Sequence, residues 1–181
     1  MPKLLADERV FPLPNEPVPR GAIVVSKRLV EEDDGSTREQ FIWVRGKFVV
    51  VVPMDECGSF ILKEEFKYAQ MQNLLTFPSG GIGVNEEPED AARRELREEL
   101  GMVADGFVSL SPYPIYNSPD KSTEHHFIFL ARNTRPIEGV TPESGKIMVY
   151  SQDEMQHSVS VRIAIQRLAL YEALRFVNFH T

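Results

Sequence analysis

The sequence predicts an α+β fold: a mixed β-sheet held between helices, preceded by a small antiparallel β region. Three observations lead there. Short β-rich runs come first, a strongly helical stretch over residues 88–100 interrupts them, and after further strands the pattern from about residue 153 to about 176 is helical again.

Each element has a local reason. Residues 1–20 carry five prolines and little periodicity, so they read as an extended arm. Residues 22–29 and 40–44 are β-rich, and the acidic turn Glu31-Glu32-Asp33-Asp34-Gly35 between them reads as a hairpin. Residues 48–52 and 60–63 are expected to form a second pair around Glu56-Cys57-Gly58-Ser59. Phe77-Pro78-Ser79-Gly80-Gly81 is a tight loop leading to the helix, which Pro88 opens at its first position and Gly101 closes just past its end. Residues 107–110 and 125–131 read as strands around the loop 112–123, and 146–150 as another short strand. No internal repeat or low-complexity segment occurs. The 181 residues divide into an N-terminal arm with strands, 1–52, expected to serve dimerisation, and a main domain, 53–181.

Bulk properties narrow the function. Hydrophobic content of 42% and charged content of 26% are globular values. A net charge of −7 argues against binding a nucleic-acid backbone. Residues 86–99 hold seven acids against three arginines, so more than half of the acid excess sits in one segment, as a cation-binding site requires. Cys57 is the single cysteine, which excludes an intramolecular disulfide and suits a reducing cytoplasm. Residues 1–14 lack the apolar core of a signal peptide, and no apolar run approaches membrane-spanning length. A cytoplasmic protein with no membrane partner is the expectation.

The acidic segment carries the chemistry. On a helix, Glu95, Glu98 and Glu99 stand at i, i+3 and i+4 and project from one face. Three carboxylates forced together repel one another; a divalent cation relieves that, and hard oxygen ligands suit Mg²⁺, with Mn²⁺ as a substitute. A salt-bridged surface helix, with Arg94 and Glu98 as an i, i+4 pair, accounts for the charges. It leaves the glycines and the isolated Glu86 unexplained.

Residues 80–102 resemble the signature of the Nudix hydrolases, GX5EX7REUXEEXGU with U aliphatic. Gly80, Glu86, Arg94, Glu95, Leu96, Glu98, Glu99, Gly101 and Met102 occupy its nine fixed positions. Outside this box, Phe77-Pro78-Ser79-Gly80 is similar to the entry of the ADP-ribose pyrophosphatase branch. Asn117-Ser118-Pro119 with Glu124 is similar to that branch's downstream Ser-Pro loop. The segment Val149-Tyr150-Ser151-Gln152-Asp153-Glu154 before a helix looks like its C-terminal part. Two positions depart: Thr76 stands where a substrate-contacting Glu is usual, and Lys67 replaces an Arg. These departures favour a nucleoside diphosphate sugar hydrolase over a strict ADP-ribose enzyme.

The resemblance implies an α/β/α sandwich and Mg²⁺-dependent hydrolysis of a diphosphate to a nucleoside monophosphate and a sugar phosphate, with more than one Mg²⁺. It implies Glu95, Glu98, Glu99 and the Ser79 carbonyl as metal ligands, with Arg94 orienting the carboxylates. Glu86 falls outside the ligand set as their partner. The water-activating base comes from a later loop, where Glu143 fits; Glu124 competes for that role or holds a metal-bound water. Phe41 and Trp43 offer an aromatic wall to a base, the alternative being core or interface packing, and Lys67, Ser118 and Pro119 fall at substrate-contact positions. A homodimer binding a small nucleotide is implied. Two other readings stay open: a house-cleaning nucleoside triphosphate or dinucleoside polyphosphate hydrolase, and a non-catalytic sensor.

Overall fold

A computed structural model of the chain describes residues 1–15, 17, 23–143 and 145–180, with the backbone alone at His180. Its strands are β1 (Lys3–Phe11), β2 (Val24–Glu31), β3 (Thr37–Val44), β4 (Lys47–Pro53), β5 (Phe60–Lys67), β6 (Gln72–Thr76) and β7 (Ser79–Gly81). After helix α1 (Pro88–Leu100) come β8 (Met102–Val103), β9 (Gly106–Ser109), β10 (Ile115–Tyr116), β11 (His125–Arg132), β12 (Arg135–Pro136) and β13 (Lys146–Tyr150). The helices α2 (Gln152–His157) and α3 (Ala164–His180) complete the chain order.

The described residues fall into two compact units. The first comprises residues 1–47 and 116–125. Its β1, β2 and β3 form an antiparallel sheet in that order, and the hairpin between β2 and β3 turns where the acidic run predicts. Nine residues of the expected arm, Lys3–Phe11, form β1. The arm's prolines lie at position 2 and from 12 onward, so they flank Lys3–Phe11 without interrupting its ladder. Of that arm, residues 16 and 18–20 lie outside the described residues, as does the start of the run at 22. The loop 117–124 is stitched to β3: the Trp43 N–H donates to the Lys121 carbonyl at 2.7 Å and the Thr123 N–H to the Trp43 carbonyl at 3.0 Å.

The second unit comprises residues 48–115 and 126–181. Its strand β4 lies between β11 and β7, while β5 lies between β13 and β6. The expected hairpin of 48–52 with 60–63 is therefore absent; a single bridge, Met54 to Phe60, joins their ends. The reason lies in burial. Residues 49–53 are all buried, which requires neighbours and cover on both faces, more than a hairpin supplies.

Strand alternation builds the sandwich. Val49 and Val51 of β4, Ile61 of β5, and Phe129 and Ala131 of β11 pack with Ala91, Ala92, Leu96 and Leu100 of α1. Their neighbours Val50, Val52, Phe60, Leu62, Ile128 and Leu130 turn the other way, onto Met155 of α2 and Ala169, Leu170, Ala173 and Val177 of α3. Each fully buried Leu or Val contributes about 1.5–3 kcal/mol to holding a helix on its face.

Helix α1 begins at Pro88, with Glu89 and Asp90 in its first turn facing the positive end of the dipole. It ends at Gly101, whose φ of 64° is left-handed and whose N–H caps the Arg97 and Leu96 carbonyls. The helical stretch after residue 153 is two helices. Ser151 and Glu154 form a reciprocal capping box at the start of α2, which ends before Ser158.

Candidate active site

The helix and the strand β7 position the acidic face in the second unit. Glu95 is buried, its residue 8% exposed, and it lies directly against Gly80 of β7. Arg94 organises the cluster. It donates from Nε to Glu86 Oε1 at 2.9 Å and from Nη2 to Glu86 Oε2 at 3.1 Å. From Nη1 it reaches Glu95 Oε1 at 2.6 Å and Glu98 Oε2 at 3.2 Å, and from Nη2 the Gly81 carbonyl at 2.8 Å. One guanidinium thus ties three box carboxylates to the strand, and this is the structural reason for Glu86 ahead of the helix. Those bonds hold Glu86 below, and Arg94 above, their ordinary pKa values.

Glu99 turns to other partners. Its Oε1 accepts from the Ser79 N–H at 3.0 Å and its Oε2 from Lys63 Nζ at 2.6 Å. Lys63, on β5, is itself buried and also reaches Glu65 Oε2 at 3.1 Å. Glu65 pairs in turn with Lys67 and accepts from the Thr76 hydroxyl at 3.1 Å. Burial alone would lower the Lys63 pKa, but Glu99 and then Glu65 outweigh it, so the ammonium stays charged with its pKa raised.

The loop that leads into β7 is held from the C-terminal helix. Gln166 of α3 is buried, accepts from the Phe77 N–H at 2.5 Å and donates to the Phe77 carbonyl at 3.1 Å. Neither Lys63 nor Gln166 was singled out from the sequence. Each had one signal: a charged or amide residue at a position the apolar pattern assigns to the core.

The remaining candidates are dispersed. Glu143 donates its N–H to the Glu98 carbonyl at 3.2 Å, and its segment lines a groove of about 570 Å³ with Arg93, Arg94, Arg97 and Glu98. In the first unit, Phe41 and Trp43 are exposed on one face of β3, so neither is core. Glu124 pairs with Arg45 at 2.7 Å, and the Ser118 carbonyl accepts from Lys121 and Ser122 in the turn containing Pro119. Lys67 lies near the end of β5 in the second unit.

The donor set suits a hard divalent cation. Five carboxylates, from Glu65, Glu86, Glu95, Glu98 and Glu99, share three cations, Lys63, Lys67 and Arg94. The excess of two negative charges equals the charge of one such ion. Among the described residues, no three His, Cys, Asp or Glu side chains already converge as a metal cage. Burial, with repulsion from Glu99 and Glu98, raises the Glu95 pKa above its ordinary 4.5 despite Arg94. The folded state therefore favours the protonated carboxyl. That stabilisation is full below the unfolded pKa and is lost as pH rises through the folded one. With a chelator present, Glu95→Gln should thus be more stable than the parent at neutral pH and level with it below about pH 4. Thermal melts across pH check this, and a variant less stable throughout would refute it.

A family model described as the NUDIX domain matches residues 44–167. The chain belongs to the Nudix family. The ADP-ribose pyrophosphatase of Bacillus subtilis (strain 168) is 28% identical over 160 residues, 81% of this chain and 84% of that protein. An RNA pyrophosphohydrolase of Bartonella bacilliformis is 51% identical, but over 69 residues, 38% of this chain and 41% of that one. The solved structure of an ADP compounds hydrolase matches with a TM-score of 0.79 at 22% identity, covering 98% of this chain and 95% of its own. That match establishes a shared fold. The chain is a Nudix hydrolase whose box forms the acidic face described above, and no helix among the described residues is long and apolar enough to cross a membrane.

Proposed function

We propose that this Nudix hydrolase is a Mg²⁺-dependent pyrophosphatase that cleaves the diphosphate of a nucleoside diphosphate sugar such as ADP-ribose into a nucleoside monophosphate and a sugar phosphate. The observation that carries this reading is the box helix laid on the Ser79–Gly81 strand, with Glu95, Glu98 and Glu99 on one face. The likeness to the Bacillus subtilis protein along most of both chains supports the substrate class. Glu95, Glu98, Glu99 and the Ser79 carbonyl would hold the metal, which when bound supplies Lewis-acid neutralisation of the phosphoryl oxygens. Arg94 keeps the carboxylates oriented. Lys67, Ser118 and Pro119 are assigned to the substrate.

Glu143 is assigned as the base that takes the proton from the attacking water. Its backbone is tied to the helix at Glu98 while its side chain is exposed, and Pro142 and Gly145 flank it, which suits a loop that moves over substrate. Glu143→Gln should depress kcat by about a hundredfold or more, since a positioned base contributes on the order of 10²–10⁴, while Mg²⁺ affinity holds. Glu124→Gln should instead shift the Mg²⁺ dependence. Normal turnover in the first variant, with the second dead at any Mg²⁺ concentration, would reverse the two assignments.

We also propose a homodimer in which the strands of residues 1–52 serve the interface, with Phe41 and Trp43 offering exposed aromatic surface to the partner's nucleotide. Light scattering at working concentrations should give about twice the monomer's 20.6 kDa. A mass near one chain would refute it.

A second reading, hydrolysis of a nucleoside triphosphate or dinucleoside polyphosphate, draws on the short stretch shared with the RNA pyrophosphohydrolase. One panel separates the two: ADP-ribose and other nucleotide sugars against GTP, a diadenosine polyphosphate and a 5′-triphosphate RNA, each with Mg²⁺. Preferred turnover of the sugars is expected; preferred turnover of the triphosphates would overturn the first reading.

A further inference from the structure

Phe77 and Pro78 carry the chain from β6, in the β13-β5-β6 sheet, to β7 beside β4. Three elements hold this turn. The peptide between Pro78 and Ser79 is gripped on both edges: its carbonyl accepts from the Val51 N–H of β4 at 2.9 Å, and its N–H donates to Glu99 of α1 at 3.0 Å. Both backbone groups of Phe77 fall to one amide, that of Gln166 in the first turn of α3. Its Oε1 accepts from the N–H at 2.5 Å, and its Nε2 donates to the carbonyl at 3.1 Å. The same Nε2 reaches Ser79 Oγ at 3.3 Å. Phe77 is fully buried and Gln166 nearly so, and loss of the amide would leave two buried backbone groups unpaired.

We propose that Gln166 is a positioning residue of the metal site: from α3 it holds the turn at Phe77 so that the Ser79 carbonyl meets an ion gripped by the box glutamates, while itself touching neither ion nor substrate. This rests on the metal-dependent reading above. Of the anchors on the turn, Glu99 is assigned to the ion as well, so a carboxylate drawn to the metal loosens its hold on the Ser79 N–H. Gln166 has no such second duty. It keeps its grip on Phe77 and on Ser79 Oγ whether or not the metal is bound. The amide is also neutral, so removing it leaves the charge of the carboxylate cluster unchanged. A loss of metal affinity in its absence therefore reports geometry.

The test titrates the full chain with Mn²⁺, without substrate, by electron paramagnetic resonance. Gln166→Met keeps the length and neutrality of the side chain and should weaken Mn²⁺ binding by about ten- to a hundredfold, as loss of a partner behind a metal ligand does. The Mg²⁺ concentration for half-maximal turnover should rise in proportion. Leu170→Ala trims the packing of the same helix without touching the bridge; it should lower the melting temperature and bind Mn²⁺ as the parent does. Parent-like affinity in Gln166→Met, or equal weakening in Leu170→Ala, would overturn the proposal and leave the metal-dependent reading intact. A parent chain that binds no Mn²⁺ would sink that reading and the proposal with it. Should Gln166→Met fail to fold, the unaltered protein decides. Coupling is reciprocal, so Mg²⁺ should slow hydrogen exchange at the Phe77 amide more than at Leu130 in β11. Equal slowing at the two amides would refute the assignment.

Discussion

Replacing Glu99 by glutamine should cut kcat by about a hundredfold or more at saturating Mg²⁺, a loss on the order of 3 kcal/mol of transition-state stabilisation. The geometry explains why so small a change matters. Glu99 uses one oxygen to fix the Ser79 N–H at 3.0 Å and the other to meet Lys63 at 2.6 Å. The amide can keep the first bond only by turning an NH₂ group toward an ammonium, where donor faces donor. Charge for a metal ion is lost and the entry of β7 loses part of its anchor together. The fold should survive, because the apolar face of α1 is untouched. Turnover near the parent's, in a variant shown to be folded, would remove Glu99 from the metal site.

Replacing Gly80 by alanine should inactivate the enzyme to a similar degree while scarcely altering its melting temperature. A Cβ at this position would come within 2.5 Å of Oε1, Cδ and Oε2 of Glu95. All three atoms belong to the tip of one side chain, so the backbone need not yield; the carboxylate must. Glu95 is hemmed in by burial and by Arg94, and it can move only by leaving the position from which it would serve a metal ion. Displacements of about 1 Å at such sites cost on the order of a hundredfold. The measurement pairs Mn²⁺ affinity with a thermal melt. Unfolding without loss of affinity would show that Gly80 serves the backbone alone.

Both predictions concern the part of the molecule that was legible from local sequence. The box helix could be bounded at Pro88 and Gly101 because proline at a first turn and a left-handed glycine cap are local requirements. The shared face of Glu95, Glu98 and Glu99 follows from helical periodicity, and the link from Arg94 to Glu98 from i, i+4 spacing. Partners distant in sequence were not legible. Residues 48–52 and 60–63 resemble a hairpin because a turn sequence separates them, yet each strand finds its neighbours elsewhere. Lys63 reads as the polar end of an apolar run, and only the approach of α1 gives it Glu99. The gap between α2 and α3 was missed because apolar residues continue through Val159 and Val161, which pack on the core from non-helical backbone.

The Gln166 bridge to Phe77 spans 89 positions of sequence. Ser79 itself is held by β4 and by Glu99 of the box helix, but the Phe77 end of its loop also needs an anchor from the last helix. That anchor must wait until α3 has been synthesised and docked, since high sequence separation delays a contact until the intervening chain is ordered. During synthesis the acidic face thus exists before this anchor does. The last tie on the loop arrives late, with a single amide side chain from the final helix.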